Sequence, residues 1–283
     1  MATSHFPPGT DRPILALHGS ASSGAIWQPL VTALDGERIV LAPDLPGYGK
    51  NAGLSELEAS ARFGWLGDAI CALGGEFDLV GHSFGGAVAM VLANRYPDRV
   101  RSVVLYEPIV PPPNQIKDAL EVQDLWSLWT QMLRLDVENA MALFCDFWSG
   151  PRSWAHMNQH ARTRLIKDFA SVMLDFRQVF TGQMDVVDRA YSGPLTLLRG
   201  DASHPIAAAM SDRLARQYST VRVEVLTGLG HLGPVTHKQK VVERIKSALG
   251  QDGGFNEDRA NASNSLAYRS LSAHHRTLPE KIP

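Results

Sequence analysis

The residues best suited to chemistry in this sequence are a serine and a histidine in two glycine-rich stretches. Ser83 is the centre of Gly81-His-Ser-Phe-Gly85, and His231 ends Gly228-Leu-Gly-His231. A serine hydroxyl is a poor nucleophile near neutral pH unless a base takes its proton, and a histidine oriented by a carboxylate is the usual base. These residues predict acyl transfer, although the pentapeptide alone would also suit a glycine-rich turn with an incidental serine.

Ser83 is predicted to lie at a sharp bend between a strand and a helix. A short apolar run ends just before Gly81, and the Ala-rich apolar segment 87–93 follows Gly85 directly. Each glycine lies two residues from Ser83, where a side chain would collide with a neighbouring element in a tight turn. The helix would direct unpaired N–H groups and its positive end toward negative charge developing beside Ser83. This context favours a nucleophile over an incidental serine.

His231 is predicted to lie near Ser83 because it follows the last strand-like run of the chain. Loops after parallel strands meet at one edge of the sheet, where Ser83 should also emerge. Other histidines suit the role less well: His82 and His204 lie beside strand ends without such a loop, and His160 lies in a helical region. The chain order, with the serine first and the histidine behind the last strand, favours His231 as the base over a solvated loop side chain.

Composition and charge point to small-molecule chemistry. The 283 residues suit one large α/β domain with an insertion or two modest domains, and a net charge of −2 predicts neither a nucleic-acid nor a membrane partner. The start carries no secretory leader pattern, so a soluble, cytoplasmic protein is predicted. The cysteines, Cys71 and Cys145, form no CxxC motif, and the histidines lack ligand-like spacing. We therefore expect no metal and no cofactor.

Strand-like and helix-like runs alternate, which predicts an α/β fold with a mostly parallel, doubly wound sheet. The predicted core comprises residues 1–110 and 191–250, with a final helix from about Thr236 to Leu249. The predicted strands are Ile14–Leu17, Arg38–Ala42, Phe77–Val80, Arg99–Tyr106, Pro194–Gly200 and Val221–Leu226.

The alternation stops over residues 111–190, where a helical cap inserted between two strands is predicted. Helix-like spacing covers Asp118–Leu135 and Val137–Trp148, and four of the six tryptophans fall in this region. These aromatic residues either pack the helices together or line an apolar substrate cavity, for which Trp126, Trp129 and Trp148 are the candidates. Residues 251–283 are polar and without periodicity, so we expect a disordered or loosely attached tail.

Several short motifs occur in order along the chain: His18-Gly-Ser20 with Trp27, Asp44-Leu-Pro-Gly-Tyr-Gly49, Gly81-His-Ser-Phe-Gly-Gly86, Leu105-Tyr-Glu-Pro108 and Gly228-Leu-Gly-His231. Taken together, they resemble the α/β-hydrolase superfamily, in its cap-bearing group of esterases, carbon–carbon bond hydrolases and dehalogenase relatives. The resemblance implies Ser83 as the nucleophile, His231 as the base and an oxyanion hole formed by the main-chain N–H groups of Ser20 and Phe84.

The third member of the triad departs from the usual pattern of the superfamily. Most members carry the acid at the position that Ser203 occupies here, and a serine cannot stabilise an imidazolium as a carboxylate does. We predict that Glu107, at the end of the preceding strand, is the acid, as in the dehalogenase branch. Asp201 is the rival, and a solvated strand-end carboxylate is the alternative reading of Glu107. Asp44 is interpreted as a loop-shaping residue.

The predicted function is a serine hydrolase that cleaves a carboxylic ester or related acyl bond of a small, largely apolar substrate. Dehalogenase and epoxide hydrolase relatives use an aspartate nucleophile, whereas Ser83 favours an acyl-enzyme that water opens. Two alternatives stay open: a carbon–carbon bond hydrolase of a vinylogous diketone, and a non-catalytic ligand-binding protein that keeps the pocket. The substrate and the oligomeric state are left open by the sequence.

Overall fold

A six-stranded parallel sheet forms the centre of the protein. The computed structural model describes residues 12–54, 66–67, 70, 75–110, 120–180 and 191–250. The strand order is β2-β1-β3-β4-β5-β6, and every neighbouring pair is parallel. The strands are β1 (Ile14–Leu17), β2 (Val40–Leu41), β3 (Phe77–His82), β4 (Val100–Tyr106), β5 (Leu195–Gly200) and β6 (Val221–Leu226).

Helices lie between the strands, and in the part of the chain that the structure describes five of them follow one another between β4 and β5. The predicted fold class, a parallel sheet with a helical insertion, is confirmed. The described helices are α1 (Gln28–Ala33), α2 (Phe84–Arg95), α3 (Leu120–Met132), α4 (Val137–Ser149), α5 (Ser153–His156), α6 (Gln159–Lys167), α7 (Phe169–Phe180), α8 (Pro205–Ala215), α9 (Gly233–Thr236) and α10 (Lys238–Leu249), with short 3₁₀ helices at Gly24–Trp27 and Gly49–Leu54.

Two strands differ from their predictions by two residues or more, and β4 and β5 each begin one residue later than predicted. Strand β2 covers two residues instead of the predicted Arg38–Ala42, because it is an edge strand that pairs on one side only. Strand β3 continues past Val80 to His82, because His82 still pairs with Tyr106 of β4. The extension places Ser83 immediately at the carboxyl edge of the sheet.

Both faces of the sheet are buried, as the alternation along β1 illustrates. Leu15 and Leu17 belong to a core cluster that also includes side chains of α2, α4 and α7. Ile14 and Ala16 point to the opposite face and belong to a second cluster with side chains of α10. Because successive strand residues face opposite sides, this division shows that helices cover the sheet on both sides.

Several predicted features lie outside the described residues. These are the tail 251–283, the ends of the predicted cap at 111–119 and 181–190, and Cys71. Within the described ranges, helices α3 to α7 occupy residues 120–180 and contain no strand. None of the helices described has both the length and the apolar character required to cross a bilayer.

We predict that Gly85→Ala destabilises the fold by about 2 kcal/mol or more, because the bend after β3 is packed backbone against backbone. A Cβ at residue 85 would lie 2.3 Å from the carbonyl oxygen of His18 and 2.5 Å from that of Leu17. Strand β1 would have to move to make room. Urea denaturation of both proteins measures the difference.

Gly53→Ala is the matched control, because a Cβ there meets no atom within 4 Å. Its free energy of unfolding should stay within about 0.5 kcal/mol of the wild type. Equal stability of Gly85→Ala and Gly53→Ala would show that the bend is not tightly packed.

Candidate active site

Ser83 lies in a strained turn between β3 and α2. Its φ of 53° and ψ of −123° fall outside the regions that an L-residue ordinarily occupies. A Cβ on Gly81 would lie 2.7 Å from the Cα of Gly86, so the turn is this tight only because glycine is present on both sides. The turn places the Ser83 hydroxyl beside the amino end of α2, where backbone N–H groups lack helical acceptors.

Ser83, His231 and Glu107 form a continuous chain of hydrogen bonds. Nε2 of His231 lies 3.0 Å from Oγ of Ser83, and Nδ1 lies 2.8 Å from Oε2 of Glu107. The three residues are 8%, 3% and 0% exposed, in the order Ser83, His231, Glu107. Because Glu107 is fully buried and His231 nearly so, the charge of the carboxylate acts on the imidazole with little screening. The arrangement can move a proton from the hydroxyl to the imidazole.

Glu107 is held at the end of β4 by partners from the neighbouring strand end. Its φ is 43°, which is unusual for a residue with a side chain. Oε1 accepts hydrogen bonds from the N–H of Gly200, at 2.7 Å, and from the hydroxyl of Ser203. Oε2 is thereby left to His231. In the sequence, Ser203 stands at the position where an acid is usual, and its hydrogen bond to Glu107 was not predicted.

Asp201, the rival acid, lies in a different set of contacts. Its Oδ1 accepts a hydrogen bond from the N–H of Gly228 at 2.6 Å, which ties the turn after β6 to the end of β5. It makes no contact with His231 among those that the described residues show. The structure therefore brings Glu107, and not Asp201, to the imidazole.

Two buried side chains hold the loop that carries His231. The Tyr106 hydroxyl donates to the carbonyl of Gly230 at 2.8 Å, and Nε2 of His82 donates to the carbonyl of His231 at 2.9 Å. Burial raises the pKa of Tyr106 far above its ordinary value, so the phenol stays a hydrogen-bond donor. These contacts fix the backbone of His231, while Glu107 fixes its ring.

The histidines beside the site are held neutral. Burial lowers the pKa of His82 to about 3 and that of His18 to about 4. Nε2 of His18 accepts from the N–H of Leu45 at 2.8 Å, so its proton resides on Nδ1, which faces the carbonyl of Gly19 at 2.8 Å. His18 thus anchors the loop that presents Ser20.

Ser20 and Phe84 line a small space beside Ser83. Phe84 is the first residue of α2, so its N–H has no acceptor within the helix. The Ser20 hydroxyl donates to Oδ2 of Asp175 on α7 at 2.7 Å, and the Tyr48 hydroxyl donates to the same oxygen. Asp175 is 2% exposed and was missed in the sequence. The sequence signal that could have identified Asp175 is a single carboxylate within the apolar stretch of α7.

A cavity of about 420 Å³ opens beside Ser83 and His231, within the range typical of small-molecule sites. Trp148 of α4 lines it and stacks on the His231 ring, with the ring centres 4.1 Å apart and the planes 26° from parallel. A smaller space of about 30 Å³ lies between Ser83 and Asp175. Helices α4 and α6 thus supply one wall of the cavity and the end of the sheet supplies the other.

Trp126 and Trp129 lie elsewhere, which corrects their placement as cavity-lining residues. Both pack against Phe180, with ring centres 5.1 and 5.3 Å from it, and Trp126 is 45% exposed. Neither is among the residues that line the two spaces beside Ser83. The rings join α3 to α7, and of the three candidate tryptophans Trp148 alone reaches the site.

Other residues considered in the sequence have structural roles. Asp44 accepts from the N–H groups of Gly24 and Lys50, both at 2.8 Å, which confirms its interpretation as a loop-shaping residue. Burial raises the pKa of Cys145, on the cavity wall, to about 12, so the thiol is not a nucleophile near neutral pH. Over the described ranges, no three His, Cys, Asp or Glu residues are grouped so that they could hold a metal ion.

Comparison with known proteins gives matches along most of the chain. The model of a family described as "Alpha/beta hydrolase family" matches residues 14–244. The chain is 37% identical over 107 residues to a 2-hydroxymuconate semialdehyde hydrolase of Pseudomonas sp. (strain CF600), a stretch covering 34% of this chain and 36% of that protein. The chain therefore spans about a third of the length of this relative.

Two further matches extend over nearly the whole chain. A pimeloyl-[acyl-carrier protein] methyl ester esterase of Aeromonas hydrophila subsp. hydrophila is 25% identical over 264 residues, which cover 88% of this chain and 99% of that protein. The structure of a thermophilic esterase from Thermogutta terrifontis matches with a TM-score of 0.64 at 21% identity, over 86% of this chain and 91% of that one. The structural match concerns the fold alone.

We predict that His82→Gln makes the fold less sensitive to acid. The pKa of His82 is about 3 in the folded state against 6.5 as the ordinary value. Between pH 6.5 and pH 3 the unfolded chain therefore binds a proton at His82 that the folded protein does not bind. The contribution of neutral His82 to stability is full above pH 6.5 and declines as the pH falls toward 3. At pH 5 the loss from His82 is about 2 kcal/mol relative to pH 8.

Urea denaturation at pH 5 and pH 8 measures this difference for each protein. The exposed His160 supplies the control, since His160→Gln should keep the full pH dependence of the wild type. A His82→Gln variant that loses as much stability at pH 5 as the wild type would show that His82 is not held neutral.

Proposed function

The chain belongs to the alpha/beta hydrolase family, and from this premise we propose that it is a serine hydrolase acting on a carboxylic ester or related acyl bond. The single observation that carries the proposal is the buried chain of hydrogen bonds from Ser83 through His231 to Glu107. The name of the Aeromonas relative, a methyl ester esterase, supports an ester substrate.

In the proposed first step, Oγ of Ser83 attacks the carbonyl carbon of the ester while Nε2 of His231 takes the hydroxyl proton. The carbonyl oxygen gains negative charge, and the N–H groups of Ser20 and Phe84 are proposed to donate to it. Each such donor is worth about 3 kcal/mol at the transition state when it is preorganised. His231 then gives its proton to the departing alcohol oxygen, and the acyl group remains bonded to Ser83.

In the second step, a water molecule attacks the acyl carbon and His231 takes one of its protons. The tetrahedral intermediate collapses, Oγ of Ser83 leaves with the proton from His231, and the carboxylic acid is released. The same hydrogen bonds serve both steps, so no group has to move between them. The space between Ser83 and the mouth of the cavity is where this water would enter.

Glu107 and Trp148 are proposed to stabilise His231 when it carries the extra proton. The carboxylate holds Nδ1–H and balances the charge of the imidazolium. Trp148 lies parallel to the ring at 4.1 Å, a geometry in which the face of an indole attracts a cation. Ser203 and the N–H of Gly200 keep the carboxylate directed at His231 by occupying its other oxygen.

Residues 111–190 are proposed to act as a cap that closes over the sheet edge and shapes the acyl site. Phe144, Trp148 and Leu165 on α4 and α6 provide an apolar wall facing Ser83. Such a wall favours a substrate whose acyl part is largely apolar. Residues 1–110 and 191–250 would then form the catalytic core.

A second candidate is hydrolysis of a carbon–carbon bond in a vinylogous diketone. The 37% identity to a 2-hydroxymuconate semialdehyde hydrolase over 107 residues favours it. Such a substrate must first accept a proton on carbon, whereas an ester needs no such step. A fluorophosphonate probe with para-nitrophenyl esters of graded length separates the two: labelling of Ser83 with ester turnover supports the esterase.

Labelling of Ser83 without turnover of any ester would favour the carbon–carbon substrate. If the probe does not react with Ser83 at all, the protein is not a serine hydrolase and the proposal fails.

The proposed roles predict different losses for the two candidate acids. Glu107→Gln should lower kcat by about 10³- to 10⁴-fold, because the amide cannot balance the imidazolium and presents the wrong hydrogen-bonding partner to Nδ1. Asp201→Asn should keep kcat near the wild-type value, because Asp201 bonds to Gly228 rather than to His231. Steady-state kinetics with a para-nitrophenyl ester measures both.

Ser83→Ala serves as the inactive reference for these variants. Thermal unfolding of each variant separates loss of catalysis from loss of fold. Wild-type kcat in Glu107→Gln together with a large loss in Asp201→Asn would reverse the assignment of the acid.

A further inference from the structure

The cavity beside Ser83 carries positive charge that the proposed hydrolysis does not use. Arg164 of α6 and Lys238 at the start of α10 both line it, one on each wall. No Asp or Glu is among the described residues that line this cavity. The remaining polar lining consists mainly of serine hydroxyls. A cavity with two cations and no carboxylate favours a ligand that carries negative charge.

Neither Arg164 nor Lys238 is paired with another side chain in the described part of the protein. Arg38 pairs with Asp78, and Arg199 pairs with Asp212 at 2.8 Å, whereas Arg164 and Lys238 make no ion pair and no side-chain hydrogen bond there. Their donors are therefore available to a molecule in the cavity. An arginine offers a planar fork that matches a carboxylate or a phosphate.

Asp168 is the acid that interacts electrostatically with Arg164, and among the described residues it forms no ion pair with it. Asp168 lies close enough for the guanidinium to lower its pKa, although burial dominates and raises the pKa of this carboxyl to about 6. Asp168 is not among the cavity-lining residues. Asp146, beside the neighbouring Cys145, accepts from the N–H groups of Arg152 and Trp154.

Lys238 is also at a position that helix electrostatics disfavours. It is the first residue of α10, whose first turn contains no acidic residue and whose N-cap, His237, makes no capping hydrogen bond with its side chain. A cation at the positive end of a helix costs free energy, and an anion there is favoured. A ligand anion in the cavity would offset this cost.

The two cations and the catalytic groups lie at different depths. Arg164 and Lys238 are exposed, whereas Ser83 and His231 are buried. Apolar side chains, among them Ile26, Phe144 and Leu165, also line the cavity. A ligand that reaches from Ser83 to the mouth would therefore place its scissile bond inside, an apolar stretch between the walls and a charged group outside.

We infer, on the basis of the function proposed above, that the substrate is an ester with an anionic group, a carboxylate or a phosphate, remote from the scissile bond. Arg164 and Lys238 would bind this group at the mouth of the cavity. The apolar acyl stretch proposed above is retained, and the charge at its far end determines which esters are bound.

The test compares esters that differ only in this charge. One pair is a monomethyl ester of a straight-chain dicarboxylic acid and the same molecule with a carboxamide in place of the free carboxylate. A second pair carries a phosphate, or the hydroxyl without it, on the alcohol side. In at least one pair, the wild-type kcat/KM should be about tenfold higher for the charged member and should fall toward equality as salt is added.

Arg164→Gln and Lys238→Gln should each reduce the ratio of charged to neutral kcat/KM. Lys167→Gln, an exposed cation on the same helix as Arg164 that does not line the cavity, should leave this ratio unchanged. A preference in the first pair identifies a carboxylate on the acyl side, and a preference in the second identifies a phosphate on the alcohol side. A wild-type ratio near one in both pairs would overturn the inference, as would a ratio unchanged in Arg164→Gln and Lys238→Gln.

A binding measurement distinguishes this failure from failure of the esterase. If no ester is hydrolysed, two anionic ligands are titrated into the wild type and Arg164→Gln while Trp fluorescence is followed. One is the dicarboxylic acid with an amide in place of its methyl ester and its other carboxylate free, and the other is the phosphorylated alcohol. Saturable binding that weakens in Arg164→Gln would support the anion site even though the protein is not an esterase. Absence of binding, or equal binding to both proteins, would refute the site itself.

Discussion

The buried hydrogen bond between His231 and Glu107 is the interaction on which the site depends. A carboxylate with no exposed surface is costly unless its oxygens are occupied, and here both are: Gly200 and Ser203 bond to one oxygen and His231 bonds to the other. The same desolvation that makes the carboxylate costly strengthens its hold on the imidazole. The ring is thereby directed at Ser83, with little freedom to turn away.

Backbone strain brings these groups together at the edge of the sheet. Four described residues other than glycine have positive φ, and Ala21, Ser83 and Glu107 among them lie at or beside the site. Ser83 and Glu107 directly follow strands β3 and β4, and Ala21 lies in the turn after β1. At this carboxyl edge the chain must turn sharply to direct a side chain above the sheet. Such conformations persist only when the surrounding packing holds them, and the crowded glycine contacts around Ser83 supply that packing.

The sequence predicted the sheet and the edge at which the reactive residues meet, because strand periodicity and glycine spacing are local properties. Glu107 was also the residue expected beside His231, since Ser203 stands where an acid is usual, and the structure brings the two together. Its role as the acid stays a prediction. The sequence did not predict that Ser203 would bond to Glu107, nor that Asp175 would reach the Ser20 loop from α7. It placed Trp126 and Trp129 wrongly at the cavity, because helical spacing does not reveal which neighbouring helix a face will meet. These contacts depend on how α3 and α7 pack, a tertiary choice that local patterns leave open.

The central claim, that Ser83, His231 and the N–H groups of Ser20 and Phe84 act on one carbonyl group, is tested most directly by a crystal structure of the protein after reaction with a fluorophosphonate. The account predicts phosphorus bonded to Oγ of Ser83, its oxygen accepting hydrogen bonds from both N–H groups, and Nε2 of His231 within hydrogen-bonding distance of Oγ. An adduct on another residue would contradict the account. So would an adduct on Ser83 whose oxygen points away from Ser20 and Phe84.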